Sequence, residues 1–166
     1  MARYSSTAVN ALHSTISAGL SAILTTVETE NSLTAGVLTA PVVYLKREAP
    51  FEQRYPRVEI FETGLEPNGE SGGQRNGVYD VACRVLFFFK SDADLDTAVL
   101  YFRHYVEALI RVVLATPALG GITSGNGVIS AHLMRVQLDA EAENESTTVH
   151  GAAMDWLVFV QNTIGG

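Results

Sequence analysis

Apolar residues near the start of the chain recur at three- and four-residue steps, a spacing that predicts an amphipathic helix. The residues between them are mostly serine, threonine and alanine, which lie on the opposite side. Ser5 or Ser6 is the expected N-cap, and the pattern ends at Val27. The apolar stripe consists of Val9, Leu12, Ile16, Leu20, Ile23 and Val27.

A second helix is predicted in the middle of the chain by the same spacing. Ser91 followed by Asp94 resembles a capping box, with Asp where Glu is more usual. Pro117 and the two glycines after it predict the end of the helix. Its apolar stripe consists of Leu95, Val99, Phe102, Val106, Leu109 and Val113.

Between the helices, residues 77–90 alternate almost perfectly and predict a long strand. The other side of this strand is half apolar, with Leu86 and Phe88 among its residues. We therefore expect both faces of the strand to be covered. The face that should receive the second helix consists of Tyr79, Val81, Cys83, Val85, Phe87 and Phe89.

The remaining strands are predicted from shorter patterns. RVEIFETG, residues 57–64, partly fits a period of two, and VVYLK, residues 42–46, is a candidate short strand. Residues 127–142 and 149–163 alternate on either side of a polar turn, which predicts a closing hairpin. The sequence between residues 28 and 41 reads as a loop.

These elements predict an α+β fold in a single domain, residues 1–166. We expect a mostly antiparallel sheet of four strands, or slightly more, with two helices packed on it. Residues 28–54 are more than this fold needs. We expect these residues to form an extended arm or loop. One alternative is an arm that wraps a neighbouring subunit, and the other is that the segment indicates a different kind of protein.

Composition and charge narrow the function classes. Only 17% of residues are charged and 47% are hydrophobic, which suggests that part of the surface is buried against partners. No run of Lys or Arg supplies a basic face for binding nucleic acid, and the net charge of −7 suggests a surface that repels a phosphate backbone. Residues 4–27 carry no charge, but polar residues interrupt them throughout, so neither a membrane span nor a signal peptide is expected.

No arrangement of residues predicts catalysis, a metal site or a cofactor. Cys83 alternates within a strand and is expected to be a buried small hydrophobe. Arg103, Glu107 and Arg111 line the other side of the second helix at four-residue spacing and can pair, and Arg103 with Glu107 is expected to be a solvated ion pair. The glycine-rich loop at residues 66–77 matches no phosphate-binding pattern. The histidines lie in four different elements, as His13, His104, His132 and His150. We expect a protein that is not an enzyme.

The order of elements resembles that of the tail terminator and related neck proteins of long-tailed bacteriophages. The pieces that carry the resemblance are the first helix, YPRVEIFETG, the helix VLYFRHYVEALIRVVLATP and the closing WLVFVQNT. The resemblance implies a homo-oligomeric ring in the virion, typically of six subunits, assembled in the host cytoplasm. Such a ring caps the tail tube, ends its polymerisation and docks the head connector, and a sheath-related protein is a further partner if the tail contracts. DNA would pass through the lumen without specific binding, and no membrane is involved.

By analogy, the glycine-rich and acidic loops are the expected interfaces with neighbouring rings or with the lumen. The acidic loop could also suggest calcium, but it lacks the Asp/Asn and central Gly pattern of an EF-hand. Alternatives are another neck component (connector, adaptor or stopper), a dimeric small-ligand-binding regulatory domain and, less favoured, an unrecognised hydrolase. The candidate interface residues are Gly69, Glu70, Gly72, Gly73, Arg75, Glu141, Glu143 and Glu145.

Overall fold

The structure is a computed structural model that describes residues 2–67, 76–123, 125–142 and 147–163. Helices and long strands follow one another in the predicted order. Their bounds are α1 Ala2–Glu30, β1 Val43–Leu45, β2 Arg57–Pro67, β3 Asn76–Ser91, α2 Leu95–Leu114, β4 Ile122–Thr123, β5 Asn126–Ala142 and β6 Thr148–Thr163.

The strands form one sheet in the order β1-β2-β3-β6-β5-β4. The short strand β1 is parallel to β2, and every other neighbouring pair is antiparallel. The predicted α+β class, the two helices and the closing hairpin are therefore confirmed. The sheet is larger than four strands because two short strands, β1 and β4, extend its edges, and β1 makes it mixed.

Both helices pack on the same face of the sheet and on each other. The alternating face of β3 points into this core, as predicted, and meets the inward side chains of β6. The core includes Leu12, Ile16, Leu20 and Leu24 from α1, Phe102, Tyr105, Leu109 and Val113 from α2, Val81, Val85 and Phe87 from β3, and Met154, Trp156 and Val158 from β6.

The other face of the sheet does not match the prediction that it is covered. Leu86 and Phe88 of β3 are only half-buried, and so are Leu157 and Phe159 of β6. No helix among the described elements lies over them, because α1 and α2 both occupy the opposite face. We call this half-apolar surface of β3, β6 and β5 the open face.

The start of α2 differs from the predicted cap. Asp94 is the N-cap, and its carboxylate accepts a hydrogen bond from the Thr97 N–H at 3.0 Å. Ser91 belongs to the end of β3, and its hydroxyl accepts from the Ala93 N–H instead. With this start, Leu95 is 61% exposed, and the buried stripe is rotated towards Ala98, Phe102, Tyr105, Leu109 and Val112.

The predicted loop at residues 28–41 begins later than expected, because α1 continues to Glu30. The buried Glu28 carboxylate then folds the chain back by accepting hydrogen bonds from the Gly36 and Leu38 N–H groups, at 3.0 and 2.6 Å. Leu38 is buried in the core as a result. Tyr105 of α2 donates its hydroxyl to the carbonyl of Thr39 at 2.9 Å, which fixes the same segment to the second helix.

Gly19 marks the close approach of the two helices, and its substitution tests that packing. A Cβ atom built at Gly19 would lie 2.6 Å from Cγ2 of Val112, closer than real contacts allow. We expect Gly19→Leu to lower the free energy of unfolding by about 1–3 kcal/mol in urea titrations, and Val112→Ala to recover part of it. The exposed Ser17→Leu is the control. An unchanged midpoint for Gly19→Leu would contradict this packing.

His150 of β6 gives the fold a predicted pH dependence. Its ring is buried beside those of Phe89 and Phe102, with centroids 6.4 and 5.3 Å away, and burial lowers its pKa below the ordinary 6.5. As pH falls through 6.5, the unfolded chain takes up a proton at this site while the folded chain does not, so stability falls. His150→Phe should therefore lose less stability than the parent between pH 7 and pH 5. Parallel curves would show that His150 does not titrate differently on folding.

Candidate interaction surface

The centre of the open face is an ion pair between neighbouring strands. Arg84 of β3 lies directly opposite Asp155 of β6, and its Nε and Nη2 groups donate to the two carboxylate oxygens at 2.7 and 3.1 Å. The hydrogen bond to Asp155 raises the pKa of Arg84. Since each charge is matched, this part of the open face is polar without a net charge.

A shallow trough lies beside this ion pair. Its floor is formed by the small residues Gly151 and Ala153 of β6, and one wall by the side chains of Leu86 and Phe88 of β3. The other wall is polar, with Gln137 and Asp139 of β5, and Arg84 lies at one end. The trough has a volume of about 240 Å³. It is shallow because the Phe88 ring lies over Gly151, 3.5 Å from the place that a Cβ atom would occupy.

The apolar wall continues into a buried ion pair on β2. Arg57 donates from Nε to Glu59 at 2.8 Å, and both side chains are almost completely buried. The guanidinium also stacks between the rings of Tyr55 and Phe88, at 4.8 and 4.1 Å from their centroids. Buried charges require such partners, because transfer out of water is otherwise strongly unfavourable.

Glu59 in turn holds a turn of residues 49–55 over the edge of the open face. Its second carboxylate oxygen accepts a hydrogen bond from the Ala49 N–H at 2.9 Å. Within the turn, the Glu52 N–H donates to the Ala49 carbonyl at 3.0 Å. The Arg54 backbone N–H, Nε and Nη2 all donate to the Glu52 carboxylate, and the side-chain bond lowers the pKa of Glu52 to about 2. The turn is thus fixed at both ends.

Phe51 stands at the tip of this turn and is 93% exposed. It is the most exposed of the large apolar side chains in the part of the chain that the structure describes. A single exposed apolar residue is ordinary on a protein surface. The turn that presents Phe51 is anchored by a buried ion pair, so the position of this exposed ring is fixed.

The outer edge of β5 is a further exposed apolar feature. Beyond Gly127, no described strand pairs with this edge, because β4 reaches only Asn126 and Gly127. Met134 is 63% exposed, and Val136 and Leu138 are also exposed. Natural edge strands are commonly protected by bulges and charges, and β5 has two irregularities in its pairing with β6. Its second half is regular, and the exposed Val136 and Leu138 alternate there with the exposed Gln137 and Asp139.

The candidate interface residues from the sequence fall largely outside the described residues. This applies to Gly69, Glu70, Gly72, Gly73, Arg75, Glu143 and Glu145. Glu141 lies within β5, where its backbone pairs with that of Val149 near the end of the closing hairpin. Their role in interfaces stays a prediction.

Sequence patterns missed the residues that build the turn. Arg57 and Glu59 flank Val58 in a strand, so a period of two places them on a solvated face, whereas residues 49–55 bury them. Phe51 follows Pro50 outside any periodic segment, so no pattern singled it out. The exposure of Phe51 and the burial of Arg57 and Glu59 depend on the path of residues 49–55, a segment without periodicity.

Of the predicted pairs at four-residue spacing, Glu107 with Arg111 is confirmed and Arg103 with Glu107 is wrong. Glu107 bonds instead to Arg111, one turn further on, at 2.9 Å, and Arg111 also reaches Glu30 of α1 at 2.6 Å. The side chain of Arg103 is exposed. The i,i+4 spacing allows both pairs, and the position of α1 selects the one that bridges the helices.

Groups with potential chemistry are scattered in the structure. Burial, with a smaller effect of the Glu62 carboxylate, raises the pKa of Cys83 to about 12, so its thiol is neutral and not nucleophilic. In the register of β5 and β6, His132 pairs with Leu157 and His150 with Ala140, far apart along the hairpin. No cluster of three or more potential metal ligands occurs among the described side chains. None of the described helices is both long and apolar enough to span a membrane.

The similarity of this chain to known proteins is structural and weak. No family model matches the chain, and no curated protein matches it in sequence. Among solved structures, a chain of the "Virion of native gene transfer agent (GTA) particle" is similar over 80% of this chain and 91% of its own length. The two have 12% identical residues and a TM-score of 0.39, which is too low to support the transfer of a fold or a residue role.

The anchoring of the turn can be tested through Glu59. Glu59→Ala leaves the buried Arg57 without its partner, so we expect the free energy of unfolding to fall by about 3–5 kcal/mol. Trypsin should also cut after Arg54 faster than in the parent, because the Ala49 N–H loses its acceptor. Gln53→Ala, which shortens an exposed side chain in the same turn, is the control and should leave the unfolding midpoint and the cleavage rate nearly unchanged. Equal midpoints for both variants would show that the buried pair does not hold the turn.

Proposed function

We propose that this chain is a structural subunit of a phage-like virion and forms a ring in the tail or neck. Within that class, we assign it the role of tail terminator. The ring caps the tail tube, ends tube polymerisation and provides the surface to which the head connector docks. DNA passes through its lumen, and the chain itself carries out no catalysis.

One observation carries this proposal: the isolated subunit exposes apolar surface that its own helices do not cover. The open face is half-apolar, β5 ends in an uncovered edge, and Phe51 projects from an anchored turn. Surfaces of this kind are typical of subunits that are buried against neighbours. The low charged fraction of 17% is in keeping with the same interpretation.

The order of elements supports the choice of ring. A long first helix, a strand opening YPRVEIFETG, a central strand-helix unit and a closing hairpin are the features that resemble tail terminators and related neck proteins. The net charge of −7 suits a conduit in which DNA must slide without sticking to the wall.

The direct test is to add the purified chain to tail tube protein from the same genome during polymerisation. Electron microscopy should show a ring at one end of each tube and shorter tubes at higher chain concentration. Leu157→Glu, on the open face, should reduce ring formation, whereas Ser14→Glu, on the exposed side of α1, should not.

Tubes of unchanged length with bare ends would contradict the terminator role. If the chain instead forms rings that bind the head connector and leave tube length unaffected, it is another neck component. A stable dimer that binds a metabolite and ignores tube protein would favour a ligand-binding domain.

A further inference from the structure

The outer side of β5 has a backbone edge that the described strands leave unpaired beyond Gly127. From Arg135 to Ala142 this strand pairs with β6 without any irregularity, so its outer edge is regular as well. An edge of this kind presents a row of N–H and C=O groups that can bond to a strand of another chain.

Two opposite charges lie on the open face of this edge. Arg135 lies opposite Asp155 of β6, and Asp139 follows four residues later on the same side of the strand. Both side chains are exposed, and neither forms an ion pair within the described part of the chain. The Asp155 carboxylate is bonded by Arg84, and the Asp139 carboxylate accepts a hydrogen bond from the Ala140 N–H at 2.8 Å. Asp139 therefore lacks a cationic partner in the single subunit.

We infer that β5 of one copy pairs in antiparallel fashion with β5 of a second copy, about a two-fold axis at Gln137. An antiparallel copy reverses the order of the charges, so Arg135 of each strand lies opposite Asp139 of the other. Oppositely charged residues that face each other across two strands attract. The edge is thus complementary to itself. This inference goes beyond the proposed function, because it does not require the chain to belong to a virion.

The apolar residues of the edge follow the same symmetry. Val136 and Leu138 lie opposite the buried Met154 and Ala152 of β6, so they belong to the face that carries the helices. They are nevertheless 37% and 50% exposed. Pairing about Gln137 sets Val136 of each copy against Leu138 of the other and removes these side chains from water. One register therefore suits both faces of the strand.

Other symmetric registers do not match the charges as well. An axis at Arg135 would set two like charges against each other. An axis at Leu138 would set Asp139 against Gln137, and Arg135 against Glu141. Since Arg135 is the only Lys or Arg in β5, Asp139 meets a cation only when the axis lies at Gln137.

The protection of this edge does not exclude a second copy. Charges that protect an edge strand repel an identical strand when they all have one sign, but the two charges here have opposite signs. The short strand β4 occupies the edge only at Asn126 and Gly127. Pairing about Gln137 extends over residues 132–142 of each copy, so the second strand ends before it reaches β4.

Charge reversal tests this contact. Arg135→Asp and Asp139→Arg each convert both ion pairs into like-charge contacts, so each variant alone should dimerise about tenfold more weakly than the parent, or worse, in sedimentation velocity. An equimolar mixture should dimerise about as tightly as the parent, because every contact between residues 135 and 139 then joins Arg to Asp. Arg103→Asp makes the same charge change at an exposed position of α2 and is the control that should leave dimerisation unchanged.

A second measurement locates the two-fold axis. Gln137→Cys places two cysteines opposite each other at the axis, so oxidation should give a disulfide-linked homodimer on a non-reducing gel. The native Cys83 is buried and should not react. Ser17→Cys, on the exposed side of α1, is the control and should remain monomeric. Circular dichroism establishes that each variant is folded.

Some results would overturn the inference. These are a parent chain that is monomeric at every concentration, a mixture that dimerises no better than either charge-reversal variant alone, or no cross-link through residue 137. If the chain caps tail tubes and charge reversal has no effect on dimerisation, this contact is wrong and the proposed function stands. If the mixture restores the dimer but tubes are never capped, the proposed function is wrong and the contact stands.

Discussion

The packing of α1 and α2 against a single face of the sheet determines what this molecule can do. A sheet has two faces, and the core residues from both helices and from β2, β3 and β6 all belong to one of them. The opposite face is half-apolar, and no helix among the described elements lies on it. Part of it is covered within the chain, where residues 49–55 fold over β2 and bury Arg57 and Glu59. The rest of this face, from Leu86 on β3 across β6 to β5, is not covered by any described element of the single subunit.

This division connects the buried charges to the proposed assembly. An ion pair in the low-dielectric interior contributes little to stability compared with apolar residues of the same size, so its value lies in fixing a conformation. Here the pair formed by Arg57 and Glu59 fixes the turn that presents Phe51. The aromatic ring of Phe88 lies against the guanidinium and also forms a wall of the trough. The same few residues thus fix the turn and line the trough.

Strong periodicity explains which elements the sequence could predict. The alternation in β3 and the helical spacing of α1 each extend over many residues, so a single exception does not change the assignment. The cap of α2 could not be fixed this way, because Ser91 and Asp94 are both good caps, and the length of β3 decides between them. Arg57 and Phe51 were missed for a related reason. Their burial and exposure depend on a segment without periodicity, whose path is set by single hydrogen bonds such as that from Ala49 to Glu59.

Hydroxyl-radical footprinting of free and assembled subunits measures most directly whether the open face is an assembly surface. If it is, labelling of Leu157 and Phe159 should fall sharply in the assembled particle, together with that of Phe51. Labelling of exposed α2 residues such as Leu95 should change much less. Equal labelling of the open face in both states would contradict the account, because it would mean that the half-apolar face remains in water throughout assembly.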